Sequence, residues 1–577
     1  MVQVVDKRNR VVQRRFILAG LSATFLLIII SILIVFYPFA SSVKENYFKG
    51  ENPVIYKGKQ AGNAVIEGNS VYVPLNFMTK LDETIFFDNK SNSLIITTSD
   101  KVVQMPTDSL TYFVNQNPVQ LQVPPLKAKD GSLYVALDPI LSFYPIQYEI
   151  IEGTNAVWIN RDGEQLQSGK ITPKDINKEK LRLRKSPSLQ SSYTAQLKNN
   201  ETIFIEGEKE DYYFIRRKDG VAGYMEKELI QHGDSTKISI KHAQNSITLP
   251  KIKGPIHLTW EAVYTKNPDP GTLPEMPGVN VVSPTWFHLS SSDGNVKNMG
   301  SPEYVQWAKQ RGYQIWGLFS NSFDPVMTHE AFKDYETRQK IIRQLLHYSE
   351  MFHLDGINLD IENVNKEDGP LVTQFVREAT PYFHQAGLIV SMDITFMSSS
   401  GNWSAFYERE KLAEVVDYLI VMAYDEHWGT SQVAGSVSSL PWVEENLAEL
   451  LKVVPNERLI LGVPLFARLW KEQQAQDGSM QVTSEAMAME KAKKWLSDNK
   501  IKPVYDTESG QNYAELFVEN ENVTYKIWLE DELSLQKRAE LAQVYELAGI
   551  ATWSRYFADQ SAWVALQVPD GSTVTKK

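Results

Sequence analysis

Hydrophobic and polar positions follow three rhythms along this chain, and each predicts a different kind of element. Phe16–Tyr37 is an apolar run of 22 residues without a charge, preceded by Lys7, Arg8, Arg10, Arg14 and Arg15. That length spans a hydrocarbon core and exceeds the core of a cleavable signal peptide, about 7–15 residues, so the run reads as a transmembrane helix. From about residue 51 to 231, short alternating runs are broken by turn residues, the pattern of small β-rich modules. From about Lys251 onward, strand-like runs alternate with helix-like runs, which predicts βα repeats around a parallel sheet. The expected strands are Ile256–Tyr264, Val279–Phe287, Gln314–Ser320, Gly356–Val364, Leu388–Phe396, Tyr418–Tyr424, Leu459–Leu465 and Ile550–Ser554. Helices are expected at His329–Phe352, Leu371–Ala386 and Ser534–Ala548. Eight strands in the span 251–565 suit a (β/α)₈ barrel, typically about 250 residues, with a small insertion within Trp470–Thr524.

Chemistry concentrates in one of these strands. In Leu354–Val364 the side chains of Asn358, Asp360 and Glu362 point one way, while Ile357, Leu359 and Ile361 point the other. An apolar outer face with an acidic inner face fits a barrel strand covered by helices, with Glu362 at the C-terminal mouth. Residues i and i+2 lie about 6.6 Å apart on the same side. Asp360 and Glu362 therefore do not flank a bond from opposite faces, as a paired acid and nucleophile must. A same-side pair suits another division of labour, in which Glu362 donates a proton and Asp360 supports a nucleophile carried by the ligand. The competing reading is a solvated strand end or a divalent-metal site.

The run Asp355, Asn358, Asp360, Glu362 resembles glycoside hydrolase family 18, the chitinase-like enzymes, whose pattern is D-x-x-D-x-D-x-E. Asn358 departs from it and resembles the branch of spore-cortex-lytic N-acetylglucosaminidases. The resemblance implies a TIM barrel, with Glu362 as general acid/base and Asp360 holding the 2-acetamido group that acts as nucleophile. The Asn358 amide is expected to donate to Asp360. Met422-Ala423-Tyr424-Asp425 resembles the family's M-x-Y-D, implying that Tyr424 meets the acetamido group and that Asp425 binds substrate. Gly549–Trp553 resembles the last strand, whose tryptophan floors the sugar subsite; an indole face suits pyranose C–H groups. Asn358 and Asp355 join Trp553 and Asp425 as expected substrate-binding residues. Phe466-Ala467 stands where Tyr-Gly is frequent, so Arg468 receives no catalytic role. Trp260, Glu261, Trp286, Trp316, Trp428 and Trp528 are further candidates for the cleft, each balanced against a packing role.

Two modules precede the barrel. Ser70–Leu75 recurs as Ser132–Leu137, each copy followed by a short helix-like run and a strand, Ser93–Thr97 and Ala156–Asn160. This duplication, over 51–160, resembles the copper amine oxidase N-terminal-like domain. No histidine precedes His232, which argues against a copper site and for a stalk. Residues 180–231, closing on Asp219-Gly220-Val221-Ala222-Gly223-Tyr224, resemble a bacterial SH3-like barrel, for which a wall peptide is the expected partner. Stretches 162–176 and 233–250 read as linkers.

Charge and composition then set limits. With 577 residues the chain holds several domains. It has no cysteine, which removes disulfides, thiol nucleophiles and thiolate metal sites. Its nine histidines show no ligand spacing, so no metal or cofactor is implied. The basic tail, residues 1–15, carries +4 of a net charge of −11, leaving −15 for the rest. That excess argues against nucleic acid as a partner. The positive-inside bias places the tail in the cytoplasm and the remainder outside, unless the helix is cleaved near Ala40. The resulting expectation is a membrane-anchored, extracellular glycosidase acting on N-acetylglucosamine-containing glycan, whether chitin, peptidoglycan or spore cortex. A non-catalytic sugar-binding or wall-scaffolding protein on the same barrel is the alternative.

Overall fold

The computed structural model describes residues 7–36, 40–107, 109–121, 123–172, 178–241, 249, 252, 254–475 and 478–567. Residues 1–6 of the basic tail and residues 242–248 and 250 of the expected 233–250 linker therefore lie outside the described residues, while residues 233–237 of that linker belong to the strand Ile230–Lys237. The chain divides into two units, one of residues 1–83 with 122–243 and one of residues 84–121 with 244–577.

The first unit begins with the helix Lys7–Phe36, whose stretch Arg14–Ile32 is long and apolar enough to cross a membrane. The two copies of the duplicated sequence meet directly. Strands Ser70–Pro74 and Ser132–Ala136 pair antiparallel, with Val73 opposite Val135, so equivalent apolar residues share one buried face. Beyond them lies a seven-stranded antiparallel sheet running from Gln165 to Lys237. Its strand Gln165–Ile171 falls in a stretch read as linker, because the polar composition there hides a half-buried strand paired with Thr202–Lys209 on one side and Ile230–Lys237 on the other. The segment after the N-terminal helix docks along the edge strand Tyr193–Gln196. Tyr193 N–H donates to the Val43 carbonyl and Glu45 N–H to the Tyr193 carbonyl, both at 2.9 Å. Arg184, almost fully buried, donates to the Ser41 carbonyl at 2.7 Å. An exposed row of backbone groups is thereby covered.

The second unit is built on eight parallel strands: β1 Ile256–Glu261, β2 Val281–Pro284, β3 Gln314–Ser320, β4 Gly356–Asp360, β5 Ile389–Thr395, β6 Tyr418–Met422, β7 Leu459–Pro464 and β8 Gly549–Trp553. Each pairs with the next, and β8 pairs with β1 to close the barrel. All eight expected strands are present. Alternation separates two cores. Leu258, Trp260, Trp316, Leu318, Ile420 and Ile460 fill the interior, while Ile357, Leu359, Val390, Val421 and Leu461 face the helices. Gly356 is required where Trp316 fills the interior, since a Cβ there would meet the indole and the Ile389 carbonyl at 2.8 Å.

The helix expected at His329–Phe352 is two helices, Pro325–Phe332 and Tyr335–Phe352. The break has a partner, because Asp88 accepts from Tyr335 N–H at the start of the second helix. Asp88 belongs to a five-stranded antiparallel sheet over 85–120, from the middle of the expected 51–160 module. Ile95 and Val102 of that sheet join the outer core of the barrel, and Arg338 lies under the Phe86 ring. A second added sheet, with the helix Met489–Asp498, spans Phe466–Trp528 and so starts slightly before the expected insertion.

Candidate active site

The C-terminal ends of β4, β5 and β6 bring four carboxyl groups into the barrel mouth. Asn358 and Asp360 on β4 face inward and are buried, whereas Glu362 lies two residues beyond the strand and is half-buried. The backbone around Glu362 is clamped on both sides. Asn321, fully buried just after β3, accepts from Glu362 N–H at 3.1 Å and donates to the Glu362 carbonyl at 2.7 Å. The Tyr407 hydroxyl donates to the Ile361 carbonyl at 2.8 Å. Asn363 follows with φ of 50°, a left-handed conformation that asparagine tolerates, and this turns the chain away after the acid.

Asn358 is fully used, but not as expected. Its Oδ1 accepts from Trp260 Nε1 at 2.9 Å and from Ser283 Oγ at 3.1 Å. Its Nδ2 donates to Ser391 Oγ at 3.1 Å and to Asp393 Oδ1 at 2.8 Å. The amide therefore serves β5 and not Asp360, because the β4–β5 register sets Ser391 opposite Asn358 and turns Asp393 inward beyond it. Among the described residues, Asp360 Oδ1 is buried with no hydrogen-bond partner.

Burial without a cation shapes the electrostatics. Among the described residues no ion pair reaches Asp360, Glu362 or Asp393. Burial pushes the Asp360 carboxyl up to about 7. Burial, then Asp360 and Asp425, hold Glu362 well above the usual carboxylate range. Burial and then Asp360 do the same for Asp393, against the opposing hydrogen bond from Asn358. A carboxyl that retains its proton near neutrality is what a general acid requires.

The other expected residues divide. Tyr424 and Asp425 follow β6 in the same mouth; Asp425 has φ of 61° and accepts from Arg468 at 3.2 Å. Burial and then Asp393 raise the Tyr424 hydroxyl well above its ordinary value. Trp553 ends β8 half-buried, 5.8 Å between ring centroids from Trp260, and the peptide after it is cis. Asp355 is separated from this group. It precedes β4 at the opposite end of the strand, where it accepts from Lys309 and from Ile315 N–H, so its place among substrate-binding residues is corrected. Of the cleft candidates, Trp260, Trp286 and Trp316 are buried packing residues, Glu261 is a buried partner of Arg555, Trp428 is exposed and Trp528 is half-buried. Asp393, Asn321 and Tyr407 were not anticipated. Asp393 had a signal, since Ser391-Met392-Asp393-Ile394-Thr395 shows the same polar-in, apolar-out alternation as β4.

A closed parallel barrel with buried carboxyls at its strand ends is a scaffold on which glycosidase chemistry can be built, and the comparisons with known proteins supply the class. Residues 316–558 match the profile of Glycosyl hydrolases family 18, and residues 55–159 match the copper amine oxidase N-terminal domain. The chain thus carries a family 18 glycosyl hydrolase domain. It is 24% identical over 300 residues to the glycosylase YvbX of Bacillus subtilis, covering 50% of this chain and 84% of that protein. It is 23% identical over 267 residues to the cortical fragment-lytic enzyme of the same organism, covering 46% of this chain and 60% of the relative. The crystal structure of the Bacillus megaterium spore cortex-lytic enzyme SleL superimposes with a TM-score of 0.50 at 17% identity, over 60% of this chain and 79% of that one. At that identity the likeness concerns the fold.

Proposed function

We propose that this protein is a membrane-anchored, outward-facing hydrolase of β-1,4 bonds in N-acetylglucosamine-containing glycan, with peptidoglycan or spore cortex as the preferred substrate and chitin as the other member of the class. The observation that carries the reading is the end of β4. Glu362 is held at the mouth by Asn321 and Tyr407, keeps its proton through burial, and lies on the same side as Asp360.

In this reading Glu362 protonates the leaving oxygen and then, as a carboxylate, takes a proton from the attacking water. Asp360, once ionised, accepts from the acetamido N–H and stabilises the positive charge that develops when the acetamido oxygen attacks the anomeric carbon. Tyr424 donates to the acetamido group, Trp553 stacks beneath the sugar, and Asp425, oriented by Arg468, binds a sugar hydroxyl. The anomeric centre is displaced twice, so configuration is retained. The 2-acetamido group becomes indispensable. The basic tail and the Arg14–Ile32 stretch support an anchor with its N-terminus in the cytoplasm.

Mass spectrometry of fragments released from purified wall is the test. Products ending in reducing N-acetylglucosamine are expected from wild type and not from Glu362→Gln. Hydrolysis of cellulose, which lacks the acetamido group, contradicts the proposal. Sugar binding without turnover by wild type supports the non-catalytic alternative.

A further inference from the structure

The Tyr424-Asp425 segment is clamped on both sides, as Glu362 is, but its clamp is anchored outside the eight barrel strands. The Ala423 carbonyl, in the peptide that precedes Tyr424, accepts from Ser438 Oγ at 2.7 Å. The Glu426 N–H, in the peptide that follows Asp425, donates to the Val437 carbonyl at 2.9 Å. Between them Asp425 takes φ of 61°, a left-handed conformation that aspartate adopts only as a single residue held by its surroundings. The segment 436–438 that supplies these bonds is buried, and it is fixed in turn from the added sheet over Phe466–Trp528. Trp470 Nε1 donates to the Gly435 carbonyl at 2.8 Å, and Ser484 Oγ to the Gly429 carbonyl at 2.9 Å. Leu440 N–H donates to the Ser509 carbonyl at 2.8 Å. A further contact is made by Gln511, 1% exposed, at the start of the strand Gln511–Val518.

We propose that Gln511 is a positioning residue of this site: through Ser436 and Ser438 it fixes the peptides on which Tyr424 and Asp425 stand, so that the added sheet is the support of the loop after β6. Donor and acceptor roles give the contact a direction. Gln511 Nε2 faces the Leu529 carbonyl at 3.1 Å, a group that only accepts, and the Glu530 carboxyl at 2.9 Å. The amide therefore turns Oε1 to Ser436, whose hydroxyl donates to it. With its hydrogen spent there, Ser436 Oγ accepts from Ser438 N–H at 2.9 Å. Ser438 is then pinned from two directions, its hydroxyl donating to Ala423 and its carbonyl accepting from Arg538 of the helix Glu532–Val544. Arg538 is itself paired with Glu530, the carboxyl that Gln511 reaches, so the chain of contacts closes into a ring. A buried ring whose donors run in one order favours a single arrangement, and the loop it holds takes a single position. Misplacing a substrate-holding group by about 1 Å can cost about 10²-fold in rate, which connects the ring to turnover. That consequence rests on the roles proposed for Tyr424 and Asp425, whereas the placement itself does not.

The first test needs no substrate. Hydrogen exchange followed by mass spectrometry is measured on the full chain, as wild type and as Gln511→Met, which nearly keeps the volume and removes both polar ends of the amide. Exchange over residues 424–440 is expected to quicken by about tenfold or more in the variant, while the helix Tyr335–Phe352 keeps its wild-type rate. Unchanged exchange over 424–440, or an equal rise in both regions, overturns the proposal whatever the enzyme cleaves. Turnover gives the second reading. Gln511→Met is expected to lower kcat on N-acetylglucosamine oligomers by about tenfold with KM within about threefold of wild type. Ser436→Ala opens the same ring one step further on, so the double variant is expected to be no slower than Gln511→Met alone. Additive losses, or an unaltered kcat in a variant whose loop exchanges faster, sink the idea. A wild type without turnover counts against the hydrolase reading, and the exchange result still decides the ring.

Discussion

Asp360 at the barrel mouth and Glu378 on the helix Gly369–Gln385 are both buried carboxyl side chains in one unit, and their surroundings are opposite. Glu378, fully buried, receives Arg338 on both oxygens at 2.8 and 3.0 Å, with Gln374 and Gln339 completing its shell. Asp360 has an unpartnered oxygen and two further carboxyls beside it. Burial alone does not make a reactive acid. A guanidinium turns the buried carboxylate into a strut between helices, whereas its absence turns the same chemical group into a store for protons.

The contrast is broken most sharply at Glu362. Replacing it with glutamine keeps the size of the side chain and removes the proton, so kcat on N-acetylglucosamine oligomers should fall by about 10²–10⁴-fold while oligosaccharide binding persists. Glu378→Gln tests the other side of the comparison. It leaves the Arg338 charge buried and half-paired, and a loss of about 3–5 kcal/mol in denaturant unfolding is expected, with the pH dependence of turnover unchanged.

The third measurement is stability against pH. Burial raises Asp360 to about 7 in the folded state, against about 3.9 unfolded, so the unfolded chain releases this proton first as pH rises. The group's contribution is therefore complete below about pH 4 and is lost progressively up to about pH 7. Asp360→Asn should flatten that slope and exceed wild type by about 2–4 kcal/mol at pH 8, although its turnover is lost. An unchanged slope would mean that Asp360 has found a cation in solution. The smallest effect belongs to an exposed pair in the same unit. Lys90 is 59% exposed where it meets Asp334, and Lys90→Ala should cost no more than about 1 kcal/mol, less at high salt.

Much of the mouth was legible because strand alternation is a local rule. Period two puts Asn358, Asp360 and Glu362 on one side whatever else the chain does, and the same rule located all eight barrel strands. It also contained Asp393, whose strand carries the same alternation but no acidic cluster to draw the eye. The partner of Asn358 was not legible, since register between β4 and β5 is set by how two distant segments pack. Asp355 shows the same limit from the other end, for an acidic residue five positions before Asp360 occupies the opposite rim of the barrel and serves Lys309.

The sequence by itself determined which faces of each strand are apolar, that an apolar helix of transmembrane length lies near the N-terminus, and which acid follows the end of β4, because these depend on residue spacing and on the chain's own geometry. Only the tertiary structure decided that, among the described residues, no cation meets Asp360, that Asn358 turns to Asp393, and that residues 84–121 of the repeat module join the barrel's outer core. Those outcomes depend on which segments, far apart along the chain, exclude water from one another, and that exclusion sets the charge each buried group can bear.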